Sequence, residues 1–337
     1  MADLATIVAT SLKKHGTELN DGVFNAHPGW WWLKDRGRFK AYDGGIGITE
    51  DIIIDSISTV AARDPKRRIP VEEQDPIRMV QWRDAAVTGA LPIYYADERK
   101  NATRIVDYAN SLVQLFKDTF TDVVGKQFFE DGLADDGVTP TLQGLPKAID
   151  DSSCGASDPG RYYGTIVGDE TFTLIDRKSG DYPWWESYVG RTAEDLSIHA
   201  GTDKGLRNLA DRCKKGKNHE QPDLLLTTLD LWQAYNALLL QSQRLENPKA
   251  AEAGFRSLMF DSATVMWDEN CTAGAVYSLN SKWITVWVDR PCFSSPVITP
   301  AQEMEDALGK IIKGIWQGQM ICRNPRFLGK LINKTAA

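Results

Sequence analysis

The stretch "TRIVDYANSLVQLFKDTFTDVVGKQFFEDG", residues 103–132, places apolar side chains at Ile105, Ala109, Leu112, Phe116, Phe120 and Val123 or Val124. Steps of three and four put these on one face of a helix. At 1.5 Å per residue, about 27 residues make a rod of roughly 40 Å. Asn101 or Thr103 can cap its start, and Gly132 falls where a left-handed C-terminal cap belongs.

Upstream, "IRMVQWRDAAVTGALPIYYADERKN" (77–101) reads as two extended runs separated by small and turn-forming residues, with Pro92 tolerable only on an edge. This predicts a long hairpin over about 60–100. The charged "ARDPKRRIPVEEQDP" (62–76), with prolines at 65, 70 and 76, is no helix interior or central strand and gives the hairpin little to pack on. Before it, "GGIGITEDIIIDSIS" (44–58) is a Gly-rich turn running into an apolar stretch. Residues 1–45 look like an arm with one or two short helices. That arm holds "HPGWWWLKDRGRFKAYDGG" (27–45), with consecutive Trp30, Trp31 and Trp32. Consecutive side chains point in different directions, so one core does not easily bury all three. Some of that aromatic surface is expected to meet a neighbour.

Downstream, residues from about 146 to 222 are rich in Gly, Ser and Asp and include "DYPWWESY" (181–188). "PDLLLTT" (222–228) reads as a buried strand. "LDLWQAYNALLLQSQRL" (229–245) reads as a helix with Leu231, Trp232, Tyr235, Leu238 and Leu239 on one face. "ATVMW", "AVYSLN" and "KWITVWV" are expected strands. The segment from Pro300 should open with a short helical turn before a final extended run. No internal repeat or low-complexity tract is evident.

A chain of 337 residues exceeds the usual single core, which favours two lobes or one body with long excursions. A formal charge of −7 argues against strong grip on nucleic acid, because such grip needs cations to displace condensed counterions. No 18-residue apolar run and no leader with a cleavage site is present, so a soluble protein made in the cytoplasm, with no membrane partner, is expected. The five cysteines are odd in number and form no CxxC, which reads as buried free thiols.

Signals for chemistry are few. There is no GxxxxGK[ST] and no GxSxG, and "GGIGIT" is only a fragment of a dinucleotide fingerprint. His15, His27, His199 and His219 are scattered, with no HExxH. The acidic pairs at 72–73, 135–136 and 150–151 lie in loops and read as solvated turns. No catalytic, metal-binding or cofactor-binding residue is assigned, and no cofactor is expected. The basic runs "RDPKRR" (63–68) and "RCKKGK" (212–217) can touch phosphate or an acidic partner, although a charge run is usually a solvated face.

The ordered phrases "IYYADERKNATRIVDYANSLVQLFKDTFTDVVGKQFFEDG", "GLPKAI", "IDRKSGDYPWWES", "PDLLLTTLDLWQAYNALL", "AGFRSLMFDSATVMWDENC", "YSLN" and "ICRNPRFLGKL" together resemble the major capsid proteins of tailed bacteriophages, the Hong Kong 97-type fold. They span roughly residues 30–333. Each phrase is degenerate alone, and the ordered set carries the likeness. The resemblance implies an α+β fold: an N-terminal arm (1–45), a strand and extended loop (46–100), a peripheral domain with a spine helix (101–145), an axial domain (146–300) and a C-terminal return to the peripheral domain (301–337). It implies a non-enzymatic subunit that assembles into hexamers and pentamers of an icosahedral head around double-stranded DNA.

The implied partners are other copies of the chain, a portal at one vertex, a possible decoration protein and packaged DNA held by weak non-specific contact. The arm is shorter than the built-in scaffold segment of some members, so a separate scaffolding protein is expected. The implied location is the virion, after assembly in the host cytoplasm. Because Trp, Tyr and Arg most often anchor protein contacts, the residues expected between subunits are Trp30, Trp31, Trp32, Arg67, Arg68, Arg78, Trp82, Arg323 and Arg326. Two rivals are a cellular nanocompartment shell of the same fold and, less favoured, a soluble α+β enzyme with a deep pocket.

Overall fold

The computed structural model describes residues 8, 10–11, 26–45, 47–53, 57, 59–60, 62, 64, 76–95, 105–130, 141–153, 162–166, 174–177, 185–198, 205–215, 220–239, 249, 251, 254–293, 296–305 and 307–335. Arg67, Arg68 and much of the stretch read as an arm lie outside them. The chain divides into two compact units. One contains Met1–Ile46, Asp84–Gly144 and Thr285–Met320, and the other Gly47–Arg83, Leu145–Ile284 and Ile321–Ala337.

The first unit is a sheet with a helix on it. Strands Phe39–Tyr42, Ile284–Asp289, Gly309–Cys322 and Val297–Ile298 lie in that order, and Gln302–Glu303 and Ala85–Tyr94 also pair with the 14-residue strand Gly309–Cys322. The helix runs Ile105–Gln127, inside the span its periodicity predicts. Val113, Phe120 and Val124 are buried, whereas Val123 is exposed, which settles the alternative left open by the spacing. Ala85–Tyr94 pairs only with the long strand among the described strands, so Pro92, opposite Ile311, sits on an edge where its missing N–H is tolerated.

In the second unit, Leu258–Phe260, Ala263–Trp267, Leu224–Thr227, Val276–Leu279, Gly329–Leu331 and Tyr188–Gly190 form a six-stranded sheet. Helices Leu206–Cys213 and Leu229–Leu238 bury Leu206, Leu209, Leu231 and Tyr235 against Leu225, Val265, Val276 and Leu331. A second sheet orders Ile48–Ile53, Ile77–Trp82, Tyr162–Ile166 and Leu174–Asp176.

Three expectations need correction. Strands Ile77–Trp82 and Ala85–Tyr94 are not the two arms of one hairpin: Ile77–Trp82 pairs with Ile48–Ile53, with Ile53 opposite Ile77, while Ala85–Tyr94 pairs with the long strand, with Ala85 opposite Gly318. The hairpin therefore has its arms at 48–53 and 77–82. The segment after Pro300 opens with a strand, Gln302–Glu303, rather than a helical turn. The return to the first unit begins at Thr285, not 301, and the last residues from Ile321 belong to the second unit. The strands expected around "LLLT", "ATVMW" and "VYSL" are found.

Candidate assembly surfaces

The triple tryptophan lies on the short helix Pro28–Asp35, which Pro28 opens at a position where its missing N–H is no loss. Trp30 is fully buried, with its ring 5.1 Å from Phe128, 6.0 Å from Phe39 and 6.4 Å, nearly edge-on, from Trp316. Trp32 and Leu33 are buried as well, and only Trp31 is half-buried. His27, just ahead of the helix, donates from Nε2 to the Thr121 carbonyl at 3.3 Å, which ties the tryptophan helix to the long helix. Trp30 and Trp32 are thus withdrawn as contacts to a neighbour, because they fill the core of their own unit. Trp82, buried at the hairpin base opposite Ile48, is withdrawn for the same reason.

The long helix docks through Phe116. Gly89 and Gly314 face each other across two strands, and a Cβ built on either would fall 2.8 Å from the Phe116 ring. The ring therefore occupies a slot that exists only because both residues lack a side chain. Beside it, Leu115, Thr119, Phe120 and Val123 on the helix and Val87–Leu91 on the strand line an open groove of about 220 Å³. Leu115 and Val123 are exposed along it, four-residue steps apart through Thr119.

The two faces of the hairpin differ. On one, Ile48, Ile52, Val80 and Trp82 are buried, and Glu50 accepts a two-pronged ion pair from Arg323, with one arm at 2.8 Å. Arg323 is therefore engaged within its own unit. On the other face, toward the outer end, Ile53, Ile77 and Met79 stand about half exposed, and Ile57 and Val60 farther along the chain are exposed too. Arg78 is exposed beside these residues.

The second unit carries a buried ionic cluster. Asp150, fully buried, meets Arg191 at 2.8 Å and Lys330 at 3.3 Å. Arg177, also fully buried, donates to the Lys147 and Ala148 carbonyls at 2.9 and 2.8 Å, which satisfies the carbonyl end of the short helix Leu145–Ala148. Arg326 lies half-buried on the Pro325–Phe327 turn. A cleft of about 630 Å³ lined by Thr228, Asp230, Gln233 and Lys334 holds no nucleophile and base in contact, and Lys334 is tied to Glu194 at 2.9 Å. Burial pushes the Cys213 and Cys322 thiols up to about 12, so they are inert. Among the described residues there is no cluster able to hold a metal ion and no helix long and apolar enough to cross a membrane.

No signal in the sequence pointed to the groove or to the Phe116 slot, and the 150–151 pair, read as a solvated turn, needs correction, because Asp150 is fully buried between Arg191 and Lys330. The paired glycines 225 residues apart are uninformative until the strands are aligned.

No protein-family model and no curated protein matches the sequence. Solved structures do. The chain is similar to the capsid asymmetric unit of cyanophage A-1(L), at 12% identity and a TM-score of 0.57, over 88% of this chain and 90% of that one. It is similar to the capsid of the native GTA particle, at 10% identity and a TM-score of 0.53, over 90% of each. It is also similar to the capsid of Myoviridae phage XM1, at 7% identity and a TM-score of 0.51, over 88% and 90%. At such identities the likeness is one of fold, and it extends over nearly the whole of each chain: this protein has the α+β, Hong Kong 97-type fold of tailed-phage major capsid proteins.

Proposed function

We propose that the chain is the major shell subunit of a tailed-phage head, assembling into hexamers and pentamers around double-stranded DNA and doing no catalysis. The observation that carries this is the capsid fold over 88% of the chain together with a hairpin whose outer end bears exposed apolar side chains. Ile53, Ile77 and Met79 are too close together to be scattered surface residues, and such a patch marks a contact. The apolar end of the hairpin and the groove beside the long helix are different surfaces. Copies joined through unlike surfaces make head-to-tail contacts, which close into rings.

In this reading the first unit is the peripheral domain, with Ile105–Gln127 as its spine helix, and the large sheet of the second unit is the axial domain. Trp31, Arg67, Arg68 and Arg78 remain the proposed subunit contacts, and Arg326, half-buried on its turn, is not retained among them. A separate scaffolding protein, a portal and a decoration protein are the further proposed partners, with assembly in the host cytoplasm and residence in the virion. The acidic balance suits a wall that must let DNA move past it, since every phosphate contact adds counterion-driven affinity. Electron microscopy of the protein co-expressed with its neighbouring genes tests the reading. Closed shells, or tubes and partial shells where scaffold is missing, support it. A uniform small oligomer under every condition overturns it.

A further inference from the structure

The basic run "RCKKGK" plays no part in the surfaces above, and its described residues lie in the second unit. Arg212 stands in the last turn of helix Leu206–Cys213, where the carbonyl end favours a cation, with its guanidinium 5.8 Å from the centre of the Tyr188 ring. Two residues beyond the helix, Lys215 pairs backbone to backbone with Glu220, whose N–H donates to the Lys215 carbonyl at 3.1 Å. Glu220 accepts from Trp283 Nε1 at 3.0 Å and from Lys282. Trp283 in turn stacks on Phe327, with ring centres 4.8 Å apart and planes 12° from parallel. Arg326 lies over that same Phe327, 6.0 Å from its centre. One aromatic stack therefore ties the 212–215 segment and the 325–327 turn into a common frame.

Three cations meet on that frame: burial first, and then Arg326 and Arg212, hold the Lys215 ammonium below the usual lysine range. Nearby acids have other partners: Glu220 is taken up by Lys282 and Trp283, and Asp211 and Asp261 by Lys214.

We propose that Arg212, Lys215 and Arg326 form a contact for the phosphate backbone of double-stranded DNA. The proposal deepens the shell reading and rests on it. Phe327 is buried and Trp283 half-buried, so the patch offers no protruding apolar anchor of the kind a protein partner needs at an interface core. A phosphate backbone asks only for cations on a firm base. Three cations on an acidic chain give a contact that is weak, indifferent to sequence and released by salt.

The test is fluorescence anisotropy of a short labelled DNA duplex with the purified full chain across a salt series. Neutralising three phosphates gives a log–log slope of affinity against salt of about −3, and each cation removed lowers its magnitude by about one. Lys215→Gln with Arg326→Gln should therefore lower it by about two, Arg326→Lys should keep it, and Arg78→Gln on the hairpin should leave it unchanged. If the double variant fails to fold by circular dichroism, Lys215→Gln alone, at a half-buried position, carries the test with a fall of about one. No DNA binding by the wild type, an unchanged slope in the Gln variants, or tighter binding of polyglutamate than of DNA through the same residues overturns the proposal, the last in favour of an acidic protein partner. Electron microscopy of the same samples separates the two readings. Shells with an unchanged slope sink this inference alone, while a wild type that never forms shells sinks the shell reading.

Discussion

The tryptophan helix and the outer end of the hairpin reverse each other's roles. Three adjacent tryptophans look like surface meant for a partner, yet Trp30 and Trp32 are sealed among Phe39, Phe128 and Trp316 in their own unit. The hairpin, with plain isoleucines and a methionine, keeps Ile53, Ile77 and Met79 in the open. Side-chain size does not decide which surface a neighbour meets. Local cover differs instead: the short helix is tethered by His27 to the long helix, while Ile77 and Met79 lie on the part of their strand beyond Val80 and Gln81, where its pairing with Tyr162–Ile166 ends.

The contrast can be broken experimentally, beginning with the largest effect. Trp30→Ala should cost about 3–5 kcal/mol of monomer stability, the range for truncating a buried large aromatic, read by urea denaturation. A loss below about 1 kcal/mol would mean that the aromatic cluster is not a packed core. Gly314→Ala should cost about 1–3 kcal/mol, because its Cβ meets the Phe116 ring at 2.8 Å. Adding Phe116→Leu should recover part of this, and strictly additive losses would show that the slot does not couple the pair. Trp31→Ala should leave the monomer melting near the wild-type temperature while weakening assembly, and a collapse of the monomer melt would return Trp31 to the core. At the small end, a thiol reagent at pH 8 should leave Cys213 and Cys322 untouched until the protein unfolds, since burial holds both thiols near 12. Rapid labelling of either in the native state would show that the second unit opens readily.

How much was legible follows from where the information sits. The long helix was readable because its apolar spacing is local, and its observed bounds, Ile105–Gln127, fall inside the expected span. The short apolar strands of the second unit were readable for the same reason. Pairing was not. Strands Ile77–Trp82 and Ala85–Tyr94 are adjacent in sequence, but each finds its partner far away, at 48–53 and along the long C-terminal strand. Likewise the Arg323 and Glu50 pairing spans 273 positions, so an arginine that looked free for a neighbour is already engaged. Among the proposed contacts the sequence could name residue types that anchor interfaces, but it could not show which were already buried.

The central claim is that the hairpin's outer end is built for another copy of the chain. Ile77→Ser with Met79→Ser tests it most directly, in one preparation examined by urea denaturation and by electron microscopy beside the wild type. Both side chains are about half exposed, so monomer stability should stay within about 0.5 kcal/mol of wild type while shells and tubes disappear. Normal shells from the double variant, or a monomer that unfolds before it can assemble, would contradict the account.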